Sequence, residues 1–265
     1  MLGDAEIERI LNHRLIGQRY FFRQEAPLPN AVPVPTPVGP LACWRSAPAG
    51  ERPVLLHFHG NGELVHHWVD FAGPLSAWGW DTFLSEYRGY GGSAGTPLLG
   101  AMLDDIPAIV NAVGVDPSRI VVFGRSVGSI FAIEAVHRFP TLAGLVLESG
   151  IADVHERIRM RVEPIELACS EADLAAAVTA RMDHRTKLSN YQGPSLVLHA
   201  EGDHLVTIDH AERNHQWAGG TDKTLVRFPH GDHNSIFSYN QAEYLRHLAH
   251  FLETVAPRGA APLGP

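Results

Sequence analysis

Six short runs, none longer than seven residues, are apolar on both faces and constrain the fold of this chain more than any other feature. They are PVLLHFH (53–59), DTFLSEY (81–87), RIVVFG (119–124), AGLVLES (143–149), SLVLHA (195–200) and KTLVRF (223–228). Helical stretches alternate with them, at 64–78 (with Pro74 as an early breaker), 102–113, 126–138 and 236–255. A strand buried on both faces needs a sheet covered on both sides, and helices between such strands supply that cover. The expected fold is therefore α/β, a mostly parallel sheet flanked by helices. On such sheets, ligands bind beyond the carboxyl ends of the strands.

The rest of the chain is organised around this core. Ile7, Ile10, Leu11 and Leu15 give the opening segment a weak apolar face, read as a short helix packed on the domain. The proline-rich stretch 27–40 suits an extended edge, since proline cannot pair within a central strand. Residues 151–190 are too long for an ordinary connection and read as a small helical cap over the site. One domain over 1–256 is expected, with 257–265 a disordered tail of mostly Pro, Gly and Ala.

Composition excludes several function classes. The net charge of −8 speaks against a nucleic-acid partner, which needs a basic stripe. No apolar run approaches the roughly 20 residues of a membrane span, and the charged N-terminus lacks a signal-peptide layout. Two isolated cysteines, Cys43 and Cys169, form no disulfide framework. A soluble, cytoplasmic protein is expected.

Gly124-Arg125-Ser126-Val127-Gly128 matches G-x-S-x-G. The pattern alone is weak, but here it follows a strand and opens an apolar helix, SVGSIFAIEAV. Strand–turn–helix is the context of a nucleophile elbow, whose sharp turn needs small neighbours and lifts the serine hydroxyl out of the sheet. The plain alternative is an ordinary strand–helix turn. A serine needs a base to take its proton. Among 16 histidines, His233 is best placed, after the last strand and before the closing helix, with His230 its competitor. An acid that orients the imidazole should follow the preceding strand. Asp203 occupies the turn after SLVLHA, with Glu201 its rival. Backbone N–H groups must hold the oxyanion. The N–H of Val127 is one candidate and that of Asn61, in His59-Gly60-Asn61-Gly62, the other.

Taken together, HFHGNG (57–62), YRGYGGSAGTP (87–97), GRSVGS (124–129), LVLESG (145–150), HAEGDHLV (199–206) and GDHN (231–234) resemble the α/β-hydrolase superfamily. The likeness is nearest to small serine hydrolases that include protein depalmitoylases and bacterial esterases. The resemblance implies a triad of Ser126, Asp203 and His233 in that chain order, and oxyanion donors at Asn61 and Val127. It favours His233 over His230. Two departures from the depalmitoylases, the lack of a cysteine-rich N-terminus and the longer 151–190 stretch, favour a small ester.

The expected activity is that of a serine esterase cleaving a carboxylic ester or thioester through an acyl-enzyme, without a cofactor. Amide cleavage, lyase or perhydrolase chemistry on the same triad, and a non-catalytic ligand-binding role, are the alternatives. No metal site is expected, because His57 and His59 lie on a strand and His66 and His67 on a later helix, with no cysteine or carboxylate obviously joining them. Tyr90 is a candidate pocket residue. Arg88 reads as a structural salt bridge, and Arg125 as pointing outward or pairing with Glu148. Trp68, Trp78 and Trp80 read as core.

Overall fold

The computed structural model describes residues 2–256. Two helices, α1 (Asp4–Leu11) and α2 (Arg14–Tyr20), precede the sheet. Strands β1 (Val32–Val34), β2 (Leu41–Arg45) and β3 (Val54–Phe58) follow, then a 3₁₀ turn over Val65–Phe71 that runs into α3 (Ala72–Ala77), and β4 (Asp81–Ser85). Next come α4 (Leu99–Leu103), α5 (Ile106–Val113), β5 (Ile120–Arg125), α6 (Gly128–Arg138) and β6 (Gly144–Glu148). The remainder is α7 (Val154–Arg159), a 3₁₀ turn (Pro164–Leu167), α8 (Glu171–Met182), α9 (His184–Asn190), β7 (Ser195–Ala200), α10 (Ile208–Trp217), β8 (Lys223–Phe228) and α11 (Ile236–Val255).

The strands form one eight-stranded sheet in the order β1-β2-β4-β3-β5-β6-β7-β8. Only β1 and β2 run antiparallel to their neighbours; β4 through β8 are parallel. Alternate residues supply two cores. Leu56, Phe58, Val122, Leu145 and Leu147 face one side, while Leu55, Val121, Phe123, Val146 and Leu196 face the other. That double burial is why five of the six runs lack polar–apolar alternation; the edge strand β8 buries only Val226 and Phe228.

Three regions depart from the sequence reading. Strand β2 lies in LACWR, where Leu41 and Cys43 are buried but Ala42 and Trp44 are only half-buried. The stretch expected as a helix over 102–113 is two helices, α4 and α5, offset by a turn. The 151–190 segment is not a cap throughout. Its α9 packs on α6 and α10 as an ordinary sheet-covering helix, and α8 packs on α1, leaving α7 and the turn after it near the strand ends. Residues 257–265, read as a tail, lie outside the described residues. No described helix is long and apolar enough to cross a membrane.

Candidate active site

Strand β5 ends at Arg125, α6 starts at Gly128, and Ser126 between them has φ +52°. A non-glycine residue there costs about 1–2 kcal/mol, so the surroundings must hold it. The Ser126 N–H donates to the Glu148 carbonyl at 2.8 Å, and its carbonyl accepts from Ser129 Oγ at 2.6 Å. The flanking glycines are required by space. A Cβ on Gly124 would stand 2.7 Å from the Ala132 Cβ, and one on Gly128 would overlap the Phe58 carbonyl.

The Ser126 hydroxyl lies 2.8 Å from His233 Nε2, and His233 Nδ1 lies 2.7 Å from Asp203 Oδ2. All three residues are buried. An ionised carboxylate only accepts, so Asp203 fixes the Nδ1–H tautomer and leaves Nε2 free to accept from Ser126. Burial opposes ionisation of Asp203, but the hydrogen bond and charge of His233, with the Val206 N–H, outweigh it and hold the carboxyl below its ordinary value. Its Oδ1 accepts from the N–H groups of Leu205 (2.9 Å) and Val206 (2.8 Å). His199, which sequence reasoning missed, donates from Nε2 to the Val206 carbonyl at 2.7 Å and lies 3.4 Å from Asp203. The competitors stand apart: His230 is exposed, and Glu201 pairs with Arg227 at 3.3 Å.

Arg125 ties the elbow to its surroundings. Its Nε donates to Glu148 at 2.9 Å, Nη1 to Glu63, and Nη2 to the His233 carbonyl at 2.9 Å. Of the two sequence readings of Arg125, outward or paired with Glu148, the pairing is present, as one part of a network. Tyr244 donates its hydroxyl to the other Glu148 oxygen. Arg88 pairs with Asp105, below the glycine loop that follows β4.

Asn61 and Val127 both line the cavity that contains Ser126 and His233. Neither N–H donates to another described residue. The Asn61 side chain donates to the Tyr20 carbonyl and accepts from the Phe22 N–H at 2.7 Å and from the Tyr90 hydroxyl at 3.1 Å. Tyr90 thus departs from its expected place. It is 1% exposed and stands behind Asn61, and the cavity wall is formed instead by Tyr20 and Phe22. The N-terminal segment and the turn after α7, which contributes Arg161, close the site in ways the sequence did not signal. The cavity holds about 180 Å³. A larger one, about 570 Å³ and lined by Trp68, Phe71, Phe237 and Tyr244, lies on the other side of Arg125 and does not include Ser126.

Of the four histidines near β3, His57 and His59 are absorbed by packing, while His66 and His67 are exposed. His57 is buried against Trp68 and Phe123, and burial pushes its pKa well down. His59 turns away to Glu86, with Nε2 2.6 Å from the carboxylate; burial opposes its charge, but Glu86 prevails and raises its pKa. Among the described residues no group of three or more His, Cys, Asp or Glu could hold a metal ion.

A family model described as serine aminopeptidase, S33, matches residues 49–172, a span that includes the elbow and ends before Asp203 and His233. The Escherichia coli (strain K12) protein YfhR is 27% identical over 208 residues, covering 72% of this chain and 66% of its own length. Human alpha/beta hydrolase domain-containing protein 17C is 25% identical over 224 residues, covering 80% and 61%. The chain therefore spans a little under two thirds of the length of these relatives. In structure it is similar to the Pyrococcus furiosus esterase Pf2001, with TM-score 0.69, 16% identity and coverage of 88% of this chain and 98% of that one. Est1E from Butyrivibrio proteoclasticus, solved with ferulic acid bound, matches with TM-score 0.68, 18% identity and coverage of 84% and 98%.

Proposed function

Because the chain belongs to the α/β-hydrolase superfamily, we propose that it is a serine hydrolase that cleaves a carboxylic ester or thioester through an acyl-enzyme. One observation carries the reading: the unbroken relay from Asp203 through His233 to Ser126, at 2.7 and 2.8 Å. His233 Nε2 takes the Ser126 proton as the hydroxyl attacks the acyl carbon. The two unpartnered N–H groups of Asn61 and Val127 receive the oxyanion, each such donor being worth about 3–4 kcal/mol in the transition state. The proton then passes from His233 to the leaving oxygen or sulfur. Water repeats the sequence and releases the acid. The chain supplies every group this sequence needs.

A cavity of about 180 Å³ favours a small substrate, being below the roughly 300–1,000 Å³ of sites for drug-sized ligands. That size argues against a long acyl chain lying wholly inside. Residues from Tyr20 to Asn234 line the site, so we take 1–256 as one functional domain. The test is turnover of short p-nitrophenyl esters with labelling by a fluorophosphonate probe. The wild type should hydrolyse and label, and Ser126→Ala should do neither. An unlabelled wild type that turns over no ester would remove the hydrolase reading.

A further inference from the structure

The lining of the Ser126 cavity includes three arginines and no acidic residue, in a chain whose net charge is −8. Arg125 is neutralised by Glu148 and Glu63. The other two, Arg157 and Arg161, pair with no described carboxylate, although acids are plentiful around them. Asp153 and Glu156 turn to Arg213, Glu163 to Arg159, and Glu166 to Arg19.

We infer that the substrate carries an oxyanion group, a carboxylate or a phosphate, close to its scissile bond, and that Arg157 and Arg161 receive it. This rests on the hydrolase reading of the same cavity. The two arginines are four residues apart. The chain keeps its helical bonding beyond α7, with the Val162 N–H donating to the Ile158 carbonyl at 3.0 Å, so both side chains share one face. Like charges at that spacing repel, and no carboxylate among the described residues pairs with either. Each guanidinium is positioned without being neutralised. Arg161 rests on the Phe22 ring, 4.8 Å from its centroid. Arg157 donates from Nη1 to the Leu205 carbonyl at 2.7 Å, while its Nε is buried with no partner among the described residues. Planar, permanently charged forks with free donors suit bidentate recognition of carboxylate or phosphate. In about 180 Å³ the anion must lie within a few bonds of the carbon that Ser126 attacks.

The experiment compares kcat/KM for matched pairs, with the enzyme-free rate subtracted. Mono-p-nitrophenyl glutarate against p-nitrophenyl pentanoate places the anion on the acyl side. For the leaving side, p-acetoxybenzoate and p-acetoxyphenyl phosphate are each set against methyl p-acetoxybenzoate, which also separates carboxylate from phosphate. At least one anionic ester should exceed its neutral partner by about ten-fold, the scale of a charge-assisted hydrogen bond. The double variant Arg157→Gln/Arg161→Gln should lose that ratio, and Arg161→Lys should restore part of it when Arg157 is kept. Arg161 makes no polar side-chain contact with the described residues, so Arg161→Gln alone, expected to lower the ratio, guards against a folding failure from Arg157. Neutral esters preferred throughout, or a preference that survives the double variant, would overturn the inference. Calorimetric binding of mono-p-nitrophenyl glutarate to Ser126→Ala, abolished by the two arginine substitutions, needs no turnover. Binding there without hydrolysis in the wild type would sink the hydrolase reading and leave the anion site standing.

Discussion

Arg125, the residue before the elbow serine, donates from Nη2 to the backbone carbonyl of His233 at 2.9 Å, although 108 positions separate them. The same guanidinium holds Glu148, at the end of β6, and Glu63, in the loop after β3. One side chain thus fixes the loop bearing the proposed base relative to the turn bearing the proposed nucleophile and to the oxyanion loop.

Replacing Arg125 with Met should therefore act on stability and on rate together. Glu148 is 2% exposed and would be left charged and unpaired on its Arg125 side. Removing one partner of a buried ion pair costs about 3–5 kcal/mol. Misplacing the His233 loop by even an ångström should lower kcat by up to about 100-fold. Urea unfolding and ester turnover measure the two effects, and a variant with wild-type midpoint and rate would show that the network is ornamental.

Asp203→Asn should leave the fold intact and remove most of the rate. The amide can still accept from the N–H groups of Leu205 and Val206, which hold the turn. It no longer fixes the Nδ1–H tautomer of His233 or balances the imidazolium, a loss of about 10⁴-fold in kcat for this kind of triad. If turnover fell less than ten-fold, Asp203 would not be the acid.

The oxyanion donor at position 61 is a backbone group, so Asn61→Ala keeps it. What the variant loses is the side chain that joins Tyr20, Phe22 and Tyr90 to the loop. A drop of roughly 10- to 100-fold in kcat is expected from the shifted N–H. Protease sensitivity in the segment after α2 should rise in parallel. Tyr90→Phe removes one of these bonds and should have the smaller effect. Equal loss from both variants would mean that Tyr90 has a role of its own.

How much of this was legible in the sequence depends on whether the cause was local. Strands β7 and β8 and helix α11 fall on the residues read from pattern alone, because burial on both faces (β7), alternation about Val226 and Phe228 (β8) or a 3.6-residue apolar stripe (α11) is written in consecutive residues. The elbow was legible because its glycines answer to atoms within a few positions, such as Ala132, as well as to Phe58. Strand β2 was not, since only Leu41 and Cys43 mark its buried face. Tyr20, Phe22, Arg157 and Arg161 carry no local signal at all. Their place beside Ser126 follows from how α2 and α7 are docked, tied in part by Arg19 to Glu166 at 2.7 Å. Tyr90 misled for the same reason, as its glycine-rich setting does not reveal which side of Asn61 the ring takes.

His184 should make the protein acid-sensitive from a pH well above the range in which carboxylates begin to titrate. It opens α9 and donates from Nδ1 to the carbonyl of Ile151, a residue of the Ser126 cavity, at 2.9 Å. Burial, then the nearby Lys187 charge, lower its pKa from 6.5 to about 4. A histidine held neutral in the folded state contributes stability that is fully present above its unfolded pKa and is lost as pH falls toward the folded one. The window therefore runs from about 6.5 down to about 4. At about 1.4 kcal/mol per unit, the contribution lost across it is about 3 kcal/mol. His57, also depressed by burial, adds in the same direction. His59, raised by Glu86, acts oppositely, losing its contribution as pH rises above 6.5. Urea midpoints followed from neutral pH downward should fall steeply in the wild type. They should fall less steeply in His184→Gln, whose amide cannot take up the proton. Parallel slopes for the two proteins would place the acid sensitivity elsewhere.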